Sequence, residues 1–378
     1  MTAHDHHAPA LPTEGPNGAT ELHAERDAGV SIGPFAPAGL QALMTYEAIQ
    51  QMTGADIRLK ALKAFVDLGI ADILADEFRT SDELTEHCQA DPEKMGRYLY
   101  ALHALDVLTI DADGRYGLTP IGRSLRPHSP LWATLGVITS PLWQRAGDSL
   151  AATICTGRPP VLNGDATPYP LLAADPPLAE KFDAFMSGRT AGLAAELAAR
   201  GYAEVRTVAD LGGGDGSMLA EILTAHPHLN GVLVERADVA ARAERRLAEQ
   251  GLAGRVQIIT GDIVKDACPP ADRIILSSVV HNLDDPTSGR LLGHARQALT
   301  EAGPHAQLWV VEVPLPEPGI YTSGTDLDLR MMALFAGGRE RTRRQYRALL
   351  ALAGLDLVHV VDLPGDHTLM IAMADSDD

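Results

Sequence analysis

The sequence is poor in cysteine and in positive charge, and each shortage excludes a class of protein. Its three cysteines, Cys88, Cys155 and Cys268, form no CxxC pair, which argues against a zinc knuckle and suits a reducing compartment. Lysine and arginine together number 31 against 50 aspartates and glutamates, for a formal charge of −19. We therefore expect neither nucleic acid nor a membrane as partner.

Long apolar runs and aromatic residues are also scarce. No run reaches the roughly 18 residues of a membrane-spanning helix, and the N-terminus lacks a basic stretch leading into an apolar one, so we expect a cytoplasmic protein. Aromatic residues make up 4% of the chain and apolar residues 46%, which leaves most of the packing to alanine, leucine and valine. A length of 378 residues favours two domains.

Composition divides the chain into four predicted segments. The first is rich in alanine, proline, glycine and acids without periodicity, which is typical of disorder. Its histidines at 4, 6 and 7 could bind a metal, but a solvated terminus is the favoured interpretation. The segments are a disordered tail over 1–38, a winged-helix domain over 39–130, a helical connector over 131–200 and an α/β domain over 201–378.

Helix-start signals and a hairpin signal predict the winged helix. "TSDELTEHC" opens with hydroxyl residues and places acids in its first turn, a typical helix start. "DPEKMGRYLYALHALDVL" offers Asp91 as a cap and Pro92 at the first helical position. "LTIDADGRYGLT" alternates around Asp113-Gly114, which indicates a hairpin.

A winged helix raises the hypothesis of a DNA-binding regulator, which the charge of this segment argues against. Residues 41–127 hold nine basic and fourteen acidic residues, and nine minus fourteen leaves −5. Phosphate contacts need a basic face. This module is therefore expected to pack against another protein chain.

From residue 205 onward, strand and helix patterns alternate, which predicts a doubly wound parallel sheet. The predicted strands are "RTVADLGGG", "GVLVER", "RVQIITGD", "RIILSSVV" and "AQLWVVEV", and helices such as "SMLAEILTAH" and "VAARAERRLAEQ" lie between them. In such sheets ligands bind beyond the carboxyl ends of the strands.

A glycine turn follows the first strand. "VADLGGGDGS" places Gly212, Gly214 and Gly216 where the backbone can approach a ligand at a helix N-terminus. A dinucleotide loop would want its third glycine at the position of Ser217, and the Gly-Lys-Ser/Thr of a triphosphate loop is absent. Tight packing of strand against helix explains a glycine turn about as well.

Acidic residues at three strand ends restrict the kind of ligand that could bind there. Asp210 precedes the turn, and its charge would repel a pyrophosphate but attract a cation. Glu235 ends the next strand, where a carboxylate can bind ribose hydroxyls, and Asp262 ends the third, placed to accept from an adenine amino group. Each acid alone could be a helix cap. Together they favour an adenosyl cation without phosphates, and S-adenosylmethionine fits.

With these motifs in order, the chain resembles the S-adenosylmethionine-dependent O-methyltransferases of the caffeate and antibiotic-tailoring type. The resemblance covers most of residues 40–375 and is carried by "DLGGGDG", "GDIV", "SSVVHNLDD", "VVEV", "GGRERT" and "FDAFMSGRT". It implies a Rossmann-like α/β catalytic domain, an N-terminal winged helix that forms a homodimer, and a connector that contributes to the substrate pocket.

The resemblance also implies a general base, His281, with Glu312 and Glu340 orienting it and the substrate. An imidazole of pKa about 6.5 can take the proton of a phenol of pKa about 10. Blander interpretations remain: Glu312 could form a buried ion pair with an arginine. Glu340 could favour the helix N-terminus at the capping box from Thr342 to Gln345.

Position in the family motifs supplies the other candidates. Relatives often have aspartate and tryptophan after the histidine, and lysine four residues before it, where this chain has Asn282, Leu283 and Ser277. Methionine and phenylalanine at helical spacing are more often ordinary core than pocket. The candidates are Ile263 and Ser277 for the cofactor, and Met186, Asn282, Asp328 and Met332 for the substrate, with Phe182, Met331 and Phe335 as further pocket candidates.

Two aspartates after the histidine raise the question of a metal. Asp285 before Pro286 is interpreted as an N-cap with proline at the first helical position. Asp284 and Asp285 could instead bind a metal, as in smaller catechol-type methyltransferases, but the winged helix belongs to the metal-free class. We therefore predict no metal.

The leading hypothesis is an O-methyltransferase acting on a hydroxyl of a small aromatic or polyketide-type molecule, since an apolar pocket suits a flat ligand. Carbon or nitrogen methylation, or hydroxylation or decarboxylation on the same fold, remain open. A metabolite-sensing regulator and a nicotinamide dehydrogenase are the alternatives from other classes, and the misplaced third glycine argues against the dehydrogenase.

Overall fold

The chain is represented by a computed structural model, which describes the backbone of residues 38–375 and side chains from residue 45. The predicted tail, with its three histidines, lies outside the described residues apart from Ala38, which begins the first helix. The chain divides after Arg58 into two units. The second unit, from Leu59 onward, holds the hairpin, the sheet and every site described below.

Helices followed by a small hairpin form the winged-helix part, as predicted. Thr80 and Glu83 make a reciprocal capping box, and Asp91 accepts a hydrogen bond from the backbone of Lys94 at 2.9 Å. The first two helices are separated at Gly69, whose φ of 66° is left-handed and ends a helix. The elements are α1 (Ala38–Asp67), α2 (Ile70–Leu74), α3 (Ser81–Cys88), α4 (Pro92–Ala104), β1 (Leu108–Ile110) and β2 (Tyr116–Leu118).

Short helices separated by prolines connect the hairpin to the sheet, and one long helix closes the series. Serine or aspartate followed by proline starts three of them, because these side chains cap the first turn and proline fits there. They are α5 (Pro120–Arg123), α6 (Pro130–Ile138), α7 (Pro141–Asp148), α8 (Leu150–Thr156), α9 (Tyr169–Ala173) and α10 (Pro176–Ala198).

A seven-stranded sheet forms the second half of the chain and confirms the predicted α/β class. Its order is β5-β4-β3-β6-β7-β9-β8, with parallel pairing among the first five and antiparallel pairing of β9 with both neighbours. The strands are β3 (Thr207–Leu211), β4 (Asn230–Glu235), β5 (Val256–Thr260), β6 (Arg273–Ser277), β7 (Gln307–Glu312), β8 (Leu355–Asp362) and β9 (Thr368–Ala374). β8 and β9 were not predicted.

Helices cover both faces of this sheet and bury its apolar residues in two clusters. Leu276 and Val311 are fully buried on β6 and β7, and burying such a side chain stabilises the fold by about 1.5–3 kcal/mol. The helices are α11 (Ser217–Ala225), α12 (Ala237–Glu249), α13 (Asp285–Ala302), α14 (Ser323–Leu334) and α15 (Arg343–Leu352). Among the described residues, every helix is too short or too polar to cross a membrane.

Candidate active site

The glycine turn lies at the carboxyl end of β3, which pairs with β4 on one side and β6 on the other. Gly212, Gly214 and Gly216 all have positive φ, at 72°, 61° and 77°, a conformation that other residues rarely adopt. A Cβ on Gly213 would lie 2.3 Å from the Asp210 carboxyl group. The turn therefore needs its glycines in order to pass over Asp210 and start α11.

Two carboxyl groups line the cavity beside this turn, Asp210 buried and Glu235 half-buried. Asp210 is 1% exposed, and neither of its carboxyl oxygens has a hydrogen-bond partner among residues 45–375. Burial, with the nearby charges of Glu235 and Asp215, raises the pKa of Asp210 to about 7. Glu235 accepts from the backbone of Gly214 at 3.2 Å and of Arg236 at 2.6 Å. Such a pair favours a ligand that brings positive charge and hydroxyl donors.

The other three cofactor candidates also line the cavity. Asp262 lies two residues beyond β5, where it bonds the backbone of Val264 at 3.0 Å and the ammonium group of Lys265 at 2.7 Å. Ile263 lies beside the glycine turn, 3.4 Å from the position of a Cβ on Gly212. The Ser277 hydroxyl at the end of β6 is buried and has no partner among the described residues.

A sharp turn after β6 places His281 in the cavity wall. Ser278 has a φ of 55°, unusual for a residue with a side chain, and its carbonyl accepts from the Asn282 amide at 3.1 Å. The same amide donates to the Tyr169 hydroxyl at 3.2 Å. His281 then sits in a short 3₁₀ helix, 3% exposed.

Two buried carboxyl groups lie beside the same ring nitrogen of His281. Its Nδ1 is hydrogen-bonded to Glu340 Oε1 at 2.6 Å, and Glu312 Oε2 lies 3.3 Å away without a hydrogen-bond partner among the described residues. The other oxygen of Glu312 accepts from the backbone amides of Val279, Val280 and His281 at 3.1, 2.9 and 3.3 Å. Glu312 thus fixes the turn, and the hydrogen bond to Glu340 orients the imidazole.

Burial dominates the electrostatics of this cluster. It lowers the pKa of His281 and raises the pKa of Glu312 to about 7 and that of Glu340 to about 8. The guanidinium of Arg189 opposes the rise at Glu340. The imidazole is therefore neutral near pH 7, while the two carboxyl groups compete for protons with each other.

Arg341, which was not predicted, stabilises the turn that carries His281 through hydrogen bonds. It is 1% exposed and donates to the carbonyls of Val280 at 3.0 Å and Leu283 at 2.8 Å. It also bonds the carboxylate of Asp285 at 2.7 Å. These bonds tie the histidine turn to the segment that carries Glu340. The "GGRERT" motif contains this arginine, but nothing in the motif says where it points.

The N-cap of α13 is not the residue that the sequence predicted. Asp284, one residue earlier than expected, is the N-cap of α13 and accepts from the backbone of Thr287 at 2.8 Å. Asp285 is the first helical residue, so the cap prediction was wrong by one position. Its carboxylate pairs with Arg341 instead, because the chain turns sharply enough to bring them together.

The cavity encloses about 1210 Å³ and reaches from the glycine turn past His281 to the loop between β8 and β9. Its walls include the substrate candidates Met186 and Asn282, and the further pocket candidates Phe182, Met331 and Phe335. Tyr169, not predicted, packs edge-on against Phe182 and Phe335 with ring centroids 6.5 and 5.8 Å away. This aromatic wall suits a flat ligand.

Two substrate candidates lie away from the cavity wall. Asp328 accepts a hydrogen bond from the backbone of Glu340 at 2.8 Å, so it positions the loop that carries that residue. Met332 is half-buried on α14, and its neighbours Met331 and Leu334 line the cavity. A helix turns about 100° per residue, so adjacent methionines cannot both face the same side.

His281, Glu312 and Glu340 also have the composition of a metal site. Each offers a possible ligand atom, and these atoms lie within 4.8 Å of one another. Nitrogen and carboxylate donors suit zinc and other transition metals. Here, however, His281 Nδ1 is already bonded to one oxygen of Glu340, and one oxygen of Glu312 to backbone amides.

Comparison with known proteins identifies the family. A model of the O-methyltransferase domain matches residues 150–356, more than half of the chain, and a model of the O-methyltransferase dimerisation domain matches residues 50–127. The 2,7-dihydroxy-5-methyl-1-naphthoate 7-O-methyltransferase of Streptomyces carzinostaticus is 33% identical over 309 residues, which span 78% of this chain and 88% of the relative. The aclacinomycin 10-hydroxylase of Streptomyces purpurascens is 35% identical over 79% of this chain and 81% of its own length.

A solved structure gives the same result. A methyltransferase of calicheamicin biosynthesis, in its SAH-bound form, superposes with a TM-score of 0.75 at 30% identity, covering 90% of this chain and 99% of that one. Fold and site define a Rossmann-like methyltransferase. The chain belongs to the O-methyltransferase family and is an S-adenosylmethionine-dependent O-methyltransferase, as the motifs predicted.

The residues of the glycine-turn end fit this cofactor. S-adenosylmethionine carries a sulfonium and an ammonium group, and the oxygens of Asp210 without a partner offer compensating negative charge. Glu235, held by two backbone amides, has the position from which a carboxylate binds ribose hydroxyls.

Proposed function

We propose that this enzyme methylates a hydroxyl group of a small aromatic or polyketide-type natural product, with His281 as general base and without a metal. The observation that carries the proposal is an imidazole in the cavity wall whose Nδ1 is hydrogen-bonded to the buried Glu340 and lies 3.3 Å from the buried Glu312. The named acceptor of the 33% identical relative, a dihydroxynaphthoate, is of this class.

The protein's own residues prepare the oxygen. Because Nδ1 is engaged by Glu340 and Glu312, Nε2 remains to take the proton from the acceptor hydroxyl. Positioned base catalysis contributes about 10²–10⁴-fold. The cofactor supplies an electrophilic methyl group, and the cavity holds the acceptor in line with it, which lowers the barrier by proximity.

The two carboxyl groups lie where they can stabilise the positive charge that forms on His281. When His281 gains a proton it becomes a buried cation, which is costly without a counter-charge. Glu340 and Glu312 lie 2.6 and 3.3 Å from Nδ1, and a positive ring favours their ionised forms against the effect of burial. Once ionised they supply that counter-charge and keep the ring in the productive tautomer. Asp328 and Arg341 are positioning residues: the first holds the backbone of Glu340, and the second holds the turn that carries His281.

We infer that no metal is needed. A metal would compete with hydrogen bonds that the Glu312 carboxylate makes to three backbone amides, and with the contact between Glu340 and the imidazole. Activity retained after dialysis against a chelator would support this, and activity restored only by an added divalent cation would contradict it.

We also propose that the enzyme works as a homodimer through its N-terminal domain. The dimerisation-domain match over residues 50–127 supports this. Within the first unit, the apolar side chains Tyr46, Ile49, Met52 and Ile57 are between 54% and 74% exposed. A second copy would cover such a surface, and light scattering should give twice the chain mass.

The direct test incubates the enzyme with S-adenosylmethionine and a panel of phenolic aromatics, and identifies the methylated atom by mass spectrometry and NMR. Transfer to oxygen supports the proposal. Similarity to a hydroxylase makes hydroxylation the second candidate, and carbon or nitrogen methylation stays open. A product heavier by one oxygen, or methylated elsewhere, would replace the proposal with one of these.

A further inference from the structure

One wall of the cavity carries a cation that the proposed chemistry does not use. Helix α10 presents Phe182, Met186 and Arg189 to the cavity, at the spacing of one helical face. The first two are apolar and suit an aromatic ring. Arg189 is half-buried there, so a guanidinium faces the space in which the acceptor must lie.

Arg189 makes no hydrogen bond and no ion pair with any residue in the described part of the chain. Glu340 and Glu312 are close enough to act on it electrostatically, while Arg330 repels it. One oxygen of each carboxyl group is bonded, to His281 or to backbone amides, and the other has no hydrogen-bond partner among the described residues. Neither group forms an ion pair with Arg189 there. A guanidinium left without a bonded counter-ion in a buried wall is costly, so a ligand that supplies one gains affinity.

A second polar group without a partner lies in the same cavity. His367, in the loop before β9, is 7% exposed, and its Nε2 has no hydrogen-bond partner among the described residues. Its Nδ1 donates to the carbonyl of Pro364 at 3.2 Å. Burial lowers the pKa of His367, and the nearby charge of Arg189 lowers it further. This part of the cavity therefore offers polar atoms to a ligand rather than a dry apolar surface.

We propose that the acceptor is a hydroxylated aromatic acid whose carboxylate pairs with Arg189 while its hydroxyl faces His281. The guanidinium presents parallel N–H groups that match the two carboxylate oxygens, a geometry that lysine and neutral donors lack. Arg189 would thus select acidic acceptors over neutral ones. The inference rests on the proposed function, because it assigns the substrate class of the same site.

Binding to the enzyme loaded with S-adenosylhomocysteine tests this without requiring turnover. The probes are hydroxybenzoates and hydroxynaphthoates, each compared by calorimetry with its primary amide, which keeps the ring and the hydroxyl but removes the charge. We expect the best acid to bind about 10- to 100-fold more tightly than its amide, the size of one charged hydrogen-bonded pair.

Variants test whether the preference for the acid over its amide comes from Arg189. Arg189→Gln should abolish it, Arg189→Lys should keep part of it, and Arg347→Gln, at an exposed position on α15, should leave it unchanged. A wild-type enzyme without acid preference, or equal weakening of acid and amide in Arg189→Gln, would overturn the inference. Melting temperature and S-adenosylmethionine affinity should be unchanged in Arg189→Gln.

Three further outcomes separate the competing explanations. If Arg189→Gln weakens S-adenosylmethionine as much as it weakens the acids, the arginine binds the carboxylate of the cofactor and the inference is wrong. If neutral phenols are methylated on oxygen as well as acids are, the inference fails while the proposed function stands. If acids bind selectively but no oxygen is methylated, the proposed function fails instead.

Discussion

Two parts of the cavity carry opposite charge. Around the glycine turn, burial raises the pKa of Asp210 and Glu235, the cost of holding carboxyl groups away from water. In the wall formed by α10, burial lowers the pKa of Arg189 for the same reason. The difference indicates two ligands of opposite charge. The family establishes a cationic cofactor, which we propose binds at the acidic end, and we infer an anionic acceptor at the basic one.

We expect the largest effect on kcat from removing His281, the proposed base, which belongs to neither charged part of the cavity. His281→Ala should lower kcat by about 10²–10⁴-fold, the contribution of a positioned base, while calorimetry finds cofactor affinity unchanged. His359→Ala, on the exposed side of β8, is the matched control and should be fully active. Full activity of His281→Ala would remove the base from the account.

The carboxyl groups behind the imidazole should have the next largest effect. Glu340→Gln keeps the shape but cannot neutralise a protonated imidazole, so kcat should fall by about 10- to 100-fold with little change in acceptor KM. Glu312→Gln should behave alike. Glu317→Gln, exposed beyond β7, controls for the loss of a negative charge. An unchanged kcat in both buried variants would make these residues purely structural.

Ionisation of Asp210 should make cofactor binding depend on pH. Without ligand the pKa of Asp210 is raised to about 7, and a cation favours its ionised form, so affinity should increase as pH rises through 7. Asp210→Asn should bind about tenfold more weakly at pH 8 and lose this dependence. A wild-type titration that is flat between pH 6 and pH 8 would contradict the assignment.

The smallest effect concerns the stability of the cofactor-free protein. Because the folded-state pKa of Asp210 is above its unfolded value of about 3.9, the native protein holds a proton that the unfolded chain releases. Stability is therefore lost as pH rises through the folded pKa. Asp210→Asn should melt a few degrees above wild type at pH 8. This difference should be smaller at pH 5 and nearly absent by about pH 4, close to the unfolded pKa. A difference independent of pH would rule out this origin.

Local signals in the sequence predicted the elements that form local contacts. Asp91, Thr80 and Thr342 each cap a helix within three residues, and the glycine turn directly follows its strand. Strand ends of a parallel sheet meet at one edge, which is why Asp210, Glu235 and His281 could be placed together before any coordinates.

Contacts between distant residues could not be predicted in this way. Arg341 reaches Asp285 across 56 positions, and Asn282 reaches Tyr169 across 113. The orientation of Arg189 depends on how α10 packs against the sheet, which no local pattern encodes. The same limit explains Asp328 and Met332, whose helix was predicted as pocket wall but whose rotation was unknown.

The most direct test of the base assignment compares wild type and His281→Ala on acceptors of graded acidity. A phenol with a pKa of about 10 needs a base at neutral pH, whereas a phenol already ionised at the assay pH does not. The deficit of His281→Ala should therefore be about 10²-fold or more on the weakly acidic phenol and nearly vanish on the ionised one. An equal deficit on both would show that His281 does not remove the proton.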